Sequence, residues 1–185
     1  ESVSVIVNEE MKEVQEHLKS LSLPVPLHLV IKSTPSSMHS FFELSPSLEG
    51  GKFCLTTVDT IFKEDEFASY IKAFEQDDVH DGLMAVTDYI DDEKPLYVAT
   101  DPSLSVTGFM DSAYPGARYI SGGIYCLNQA GIHTLHGCMN DGVSRMRNYQ
   151  RRLVEEGVQL KAYPFSKIID VDHAEDIQKA ENFIY

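Results

Sequence analysis

Short apolar runs alternate with amphipathic stretches through the first 76 residues, and this alternation predicts strand followed by helix. Ser2-Val3-Ser4-Val5-Ile6-Val7 reads as a strand. Residues 9–20 read as a helix opened by Asn8 and acidic Glu9 and Glu10. Leu23-Pro24-Val25-Pro26 is a connector, and Leu27-His28-Leu29-Val30-Ile31 a second strand. Thr34-Pro35-Ser36-Ser37 turns into a short helix at 37–45, and Glu49-Gly50-Gly51-Lys52 is a turn. Phe53-Cys54-Leu55-Thr56-Thr57-Val58-Asp59 is a strand ending in an acid, with a helix expected at 64–76.

The pattern changes after residue 80. Residues 82–87, 96–100 and 106–110 are short strands split by Asp- and Pro-rich turns. Arg118 to Leu127 is another strand, interrupted by Gly122-Gly123. Helices are expected at 129–138 and 143–156, strands at 158–163 and up to Asp170, and a last helix beyond it. Neither a repeat nor a linker divides the chain. The expectation is one α/β domain over 1–185, a three-layer sandwich around a mixed, mainly parallel sheet.

Composition sharpens this only in places. With 43% hydrophobic and 24% charged residues, the 185-residue chain is ordinary for a globular domain. Its longest apolar runs are strand-sized, so no transmembrane helix and no membrane partner are expected. The net charge of −14 argues against nucleic acid, which is bound through Lys and Arg. Cys54, Cys126 and Cys138 match no disulfide or zinc framework and read as small buried hydrophobes in a reducing, cytoplasmic setting. The chain opens at Glu1 without Met and runs straight into a strand, so a further N-terminal piece is expected ahead of it.

Candidate chemistry centres on Asp59 and Asp170. The carboxyl ends of strands in an open α/β sheet gather along one edge, where ligands bind. Two carboxylates there suit Mg²⁺, which takes one or two of them plus phosphate oxygens. For Asp59 the plainer reading, a turn-forming acid, weighs about the same. In Asp170-Val171-Asp172-His173-Ala174-Glu175-Asp176, Asp172 and Glu175 have capping-box spacing, so Asp172 is assigned mainly to capping and kept as the alternate ligand. Asp176 falls in the first turn, where it suits the helix dipole.

Other features carry weaker signals. Gly122-Gly123 reads as a bulge or as a floor for a sugar ring. Ser36 and Ser37 read as helix caps that could also meet a base or phosphate. Arg145, Arg147, Arg151 and Arg152 read as a solvated helix face, with phosphate or subunit contact as the rival. His133, His136 and Cys138 lack the frame of a zinc site and read as a helix end near Gly137.

Together these pieces resemble the sugar-phosphate nucleotidyltransferases, the NDP-sugar pyrophosphorylase-like family. Phe53 to Phe62 looks like their strand ending in a metal-binding Asp, and Val106-Thr107-Gly108-Phe109 like their middle hairpin. Tyr119-Ile120-Ser121-Gly122-Gly123-Ile124-Tyr125 resembles their sugar-contacting strand. Ile169 to Ile177 resembles their closing motif, in which an Asp completes the metal site. Two departures stand out. The Gly-rich loop that binds the triphosphate is missing, as though the chain began at the family's second strand. The usual Glu-Lys-Pro after the hairpin is replaced near Met110-Asp111-Ser112.

The resemblance implies a GT-A-like fold lacking its N-terminal strand and an Mg²⁺-dependent transfer of NMP from an NTP to a sugar 1-phosphate or similar phosphate acceptor. Asp59 and Asp170 would be the catalytic and metal residues; Ser36, Ser37, Thr57, Gly122 and Gly123 would line the substrate. The 185 residues alone would be inactive, and self-association into a homo-oligomer stays open. The rivals are a GT-A glycosyltransferase using Asp170-x-Asp172 and a non-catalytic nucleotide-sugar-binding module.

Overall fold

The computed structural model describes residues 1–91 and 94–184. The elements run β1 (Val3–Val7), α1 (Lys12–Ser20), β2 (Leu27–Ile31), α2 (Ser37–Leu44), β3 (Phe53–Thr56), β4 (Thr60–Ile61), α3 (Glu64–Glu75) and β5 (Gly82–Thr87). They continue with β6 (Tyr97–Thr100), β7 (Val106–Met110), β8 (Tyr119–Leu127), α4 (Gln129–Asn140), α5 (Met146–Glu155), β9 (Leu160–Phe165), β10 (Ile169–Asp170) and α6 (Ala174–Ile184).

The long strand β8 organises the main sheet. One of its edges is shared by β6 at the start and β3 at the end; the other pairs with β5. β5 in turn pairs in parallel with β9, and β7 completes the far side against β6. The sheet is mixed, as the sequence predicts. It is not mainly parallel: β8 runs antiparallel to β3, β5 and β6, and within this sheet the parallel pair among the described residues is β5 with β9, which the chain reaches through the helical crossover of α4 and α5. β1 and β2 form a separate parallel pair, and among the described residues β3 pairs only with β8.

Alternation along the central strands builds the three layers. Met84 and Val86 of β5, Tyr125 and Leu127 of β8, and Leu160 and Ala162 of β9 face one core with α2, α4 and α5. Leu83 and Ala85, Ile124 and Cys126, and Phe165 face the other, against Tyr70 and Phe74 of α3. The fully buried Tyr70 stitches that layer to the sheet: its hydroxyl donates to the Leu83 carbonyl and accepts from the Cys126 amide at 2.9 Å.

Several boundaries move. The first helix starts at Lys12, not residue 9, because residues 8–10 form a turn in which Met11 N donates to the Asn8 carbonyl. The Asp59 strand stops at Thr56, three residues short of the acid. α4 runs through Gly137 to Asn140, so His133, His136 and Cys138 lie within the helix. No helix among the described residues is long and apolar enough to cross a membrane.

Candidate functional site

β3 stops where it does because Thr57 turns away to bond Gly123 O through its amide. The chain then makes the two-residue strand β4, which pairs antiparallel with β10 so that Thr60 lies opposite Asp170. Two further bonds fasten the junction: Val171 N donates to Asp59 O at 2.9 Å, and Thr60 Oγ1 donates to Asp170 Oδ1 at 3.3 Å. Asp59 and Asp170, remote in sequence, thereby line one cavity.

The floor of that cavity is a bulge. Met84 pairs with Tyr125 and Val86 with Ser121, so three residues of β8, Gly122 to Ile124, face the single Ala85 of β5. Gly123 sits at φ +73, in the left-handed region that favours glycine. A Cβ there would meet Thr60 Oγ1 at 3.0 Å and Thr57 Oγ1 at 3.2 Å, and these hydroxyls are bonded to each other.

The cavity has about 330 Å³ of space. Ser37, Thr57, Ser121, Gly123 and Tyr125 line it beside the two acids. The same lining includes Lys94, Arg145, Arg147 and Gln150. A neighbouring cavity of about 210 Å³ shares Lys94, Ser121 and Asp170 and adds Gly122, Tyr89, Asp91, Asp172 and His173. In a chain of net charge −14, three cations in one lining with two carboxylates make a local field suited to phosphate held on a cation.

Arg145 precedes α5 with φ 72 and ψ 138, a backbone region sparsely populated by any residue but glycine. Its amide donates to Ser36 Oγ at 3.4 Å. Arg151 and Arg147 both pair with Asp111 and hold its carboxyl below the usual range. Arg152 pairs with Asp141 and Glu156. The basic run is therefore not one solvated face. It divides between the cavity wall and carboxylate clamps.

Electrostatics tie Tyr125 to the acids. Burial pushes its hydroxyl up from 10 to about 12, a hydrogen bond with Ser121 acts against this, and the Asp170 and Asp59 carboxylates add to the rise. Both acids are therefore close enough to act on one buried phenol.

Of the residues named from sequence, Asp59, Asp170, Ser37, Thr57 and Gly123 share the larger cavity, and Gly122, Asp170 and Asp172 the smaller. Ser36 lines neither; its hydroxyl bonds His39 Nδ1 and the Arg145 amide. Asp172 does not cap the last helix. α6 starts at Ala174, and Asp176 Oδ2 accepts from His173 N at 3.0 Å, one position later than the spacing suggested. Lys179 is the leading cause of the lowered pKa of Asp176, followed by the His173 amide. Lys94 and Gln150 were not foreseen as site residues, whereas phosphate contact by Arg145 and Arg147 was the rival reading and Tyr125 closes the segment likened to a sugar-contacting strand. For Gln150 a signal existed: it occupies the apolar phase set by Met146, Tyr149 and Leu153.

No protein-family model matches this sequence, and no curated protein does. Solved structures do. The inositol-1-phosphate CTP transferase from T. maritima is 18% identical with TM-score 0.78, covering 100% of this chain and 79% of its own. A UDP-glucose pyrophosphorylase solved with UDP-glucose is 12% identical with TM-score 0.75, covering 99% and 80%. A CMP:2-keto-3-deoxy-manno-octonic acid synthetase solved with CTP is 14% identical with TM-score 0.73, again covering 99% and 80%. At these identities the likeness is one of architecture: the chain has the fold of the sugar-phosphate nucleotidyltransferases.

Proposed function

We propose that this chain is the body of a nucleotidyltransferase that joins an NTP to a sugar 1-phosphate or similar phosphate acceptor and releases pyrophosphate. The observation that carries the reading is the β4–β10 pairing, which brings Asp59 and Asp170 into one cavity with Lys94, Arg145 and Arg147. In the reaction an acceptor phosphate oxygen forms a bond to the α-phosphorus of the NTP. The bond from that phosphorus to the β-phosphate bridging oxygen breaks, and its electron pair leaves with pyrophosphate.

This chain's residues serve that displacement by positioning and charge. Arg145, Arg147 and Lys94 would hold anionic oxygens, while the Gly123 bulge lets substrate approach the backbone. The donor set suits Mg²⁺, which takes one or two protein carboxylates, and Asp59 and Asp170 line the same cavity. Asp59 and Asp170 would be its protein ligands, with Asp172 as alternate, and the ion would supply Lewis-acid charge neutralisation. The three free cysteines suit a reducing, cytoplasmic setting.

Pyrophosphate release across a panel of NTPs and phosphate acceptors tests the reading. These 185 residues hold no Gly-rich, Arg- and Lys-bearing loop for a triphosphate. Turnover is therefore expected only from protein carrying such a loop ahead of β1. There Asp59→Ala should remove turnover at saturating Mg²⁺. On the 185-residue chain, Asp59→Ala or Asp170→Ala should weaken Mn²⁺ binding, followed by its electron paramagnetic resonance, by about tenfold or more. Nucleoside diphosphate release from an NDP-sugar, with no pyrophosphate formed in any combination, would favour the glycosyltransferase instead.

A further inference from the structure

Gln150 is 2% exposed, yet it lines the cavity that also holds the two acids and Arg145 and Arg147. Its Oε1 accepts from Ser121 Oγ at 3.0 Å, and its Nε2 donates to the Tyr125 hydroxyl at the long distance of 3.5 Å. Gln150 thus joins two neutral side chains of the same cavity lining, Ser121 and Tyr125. The donors can be counted. The Ser121 hydroxyl serves Gln150, and one amide hydrogen of Gln150 serves Tyr125. The second amide hydrogen is left over.

A buried donor without an acceptor is costly, so a polar side chain in the apolar phase of a helix needs a reason. The cavity supplies one. Its cations, Lys94, Arg145 and Arg147, suit the phosphate of an acceptor. A neutral donor lining the same cavity suits a neutral oxygen of the same molecule.

Building on the reading of this cavity as the acceptor site, we propose that Gln150, held by Ser121 and Tyr125, recognises a hydroxyl of the acceptor and selects polyhydroxylated phosphate esters, sugar or cyclitol phosphates, over hydroxyl-poor ones. A site built to bond a substrate hydroxyl discriminates strongly against an analogue lacking it, because its own buried group is then left unpaired.

The test is calorimetric binding to the 185-residue chain, so it does not depend on turnover. The probes are glucose 1-phosphate and myo-inositol 1-phosphate against phosphoethanolamine. The wild type should prefer the two polyhydroxylated probes. Gln150→Leu should cut their affinity by about tenfold or more. Gln150→Glu keeps the size and the bond from Ser121 but cannot donate, so it should lose the preference too and guards against a packing defect in the leucine variant. Phosphoethanolamine binding should change less than about twofold in Gln150→Leu, which adds no charge. Equal loss for all probes, unchanged affinity in both variants, or no wild-type preference would overturn the inference. Absence of pyrophosphate release from protein carrying a triphosphate loop, with the binding contrast intact, would instead count against the proposed reaction alone.

Discussion

Replacing Gly123 by alanine separates backbone strain from damage to the site. At φ +73 an L side chain costs about 1–2 kcal/mol. Gly142 isolates that cost, for it sits at φ +68 with nothing within 4 Å of an added Cβ. Gly142→Ala should lower Tm by roughly 2–8 °C in a chain of this length, at about 2–4 °C per kcal/mol. At Gly123 the new methyl also meets Thr60 Oγ1 at 3.0 Å and Thr57 Oγ1 at 3.2 Å. Thr60 cannot yield freely, since it bonds both Thr57 Oγ1 and Asp170 Oδ1. Losing those two bonds adds about 1 kcal/mol each. Gly123→Ala should therefore cost roughly 3–4 kcal/mol, with a Tm drop about twice that of Gly142→Ala. Because the displaced Thr60 also holds Asp170, Mn²⁺ affinity should fall in Gly123→Ala and stay unchanged in Gly142→Ala. Calorimetric melting and a Mn²⁺ titration of both variants check this. Equal Tm shifts would refute the collision argument, and undiminished Mn²⁺ affinity would refute the link from the bulge to Asp170.

Tyr70→Phe leaves the Leu83 carbonyl and the Cys126 amide without their hydroxyl partner, so urea denaturation should show a loss of about 1–3 kcal/mol. The Tyr125 hydroxyl is held up to about 12 in the folded chain, against 10 when unfolded, so folding favours its neutral form. That contribution is complete below pH 10 and is lost as pH rises toward 12. The wild type should thus lose roughly 2–3 kcal/mol more than Tyr125→Phe across that window, and parallel urea curves for the two proteins would contradict it.

The sandwich was legible because its strands carry strong periodicity. Leu83 to Val86 alternate between two cores, and Tyr125 to Leu127 do the same on β8. The pairing directions were less legible, because an apolar run looks alike whichever way its neighbour points. Asp59 and Asp170 stood out as acids closing apolar runs, although the strand before Asp59 ends early to let Thr57 reach Gly123. Asp172 misled because Asp170 to Asp176 holds two overlapping capping registers, Asp172 with Glu175 and His173 with Asp176. The second is the one that forms. Spacing alone cannot choose between them, since the choice depends on where β10 must end to pair with β4.

The rest of the lining was less legible for a different reason. Positive φ at Arg145 has no sequence signal, because strain there is imposed by the elements on either side. Arg147 and Arg151 share a helix face, yet their common partner Asp111 lies on a hairpin distant in sequence. Gln150 differs from both. Met146, Tyr149 and Leu153 are spaced three and four apart, and Gln150 falls within their arc, where a leucine would pack without cost. A polar residue in that phase must be answered by partners across the core, and Ser121 and Tyr125 answer all but one of its hydrogens. Its place in the lining of a cavity that also holds two carboxylates and three cations is the ground for reading a packing anomaly as a recognition group. Breaks in periodicity of this kind point to sites that motif spacing passes over, because they record a donor placed for something outside the chain.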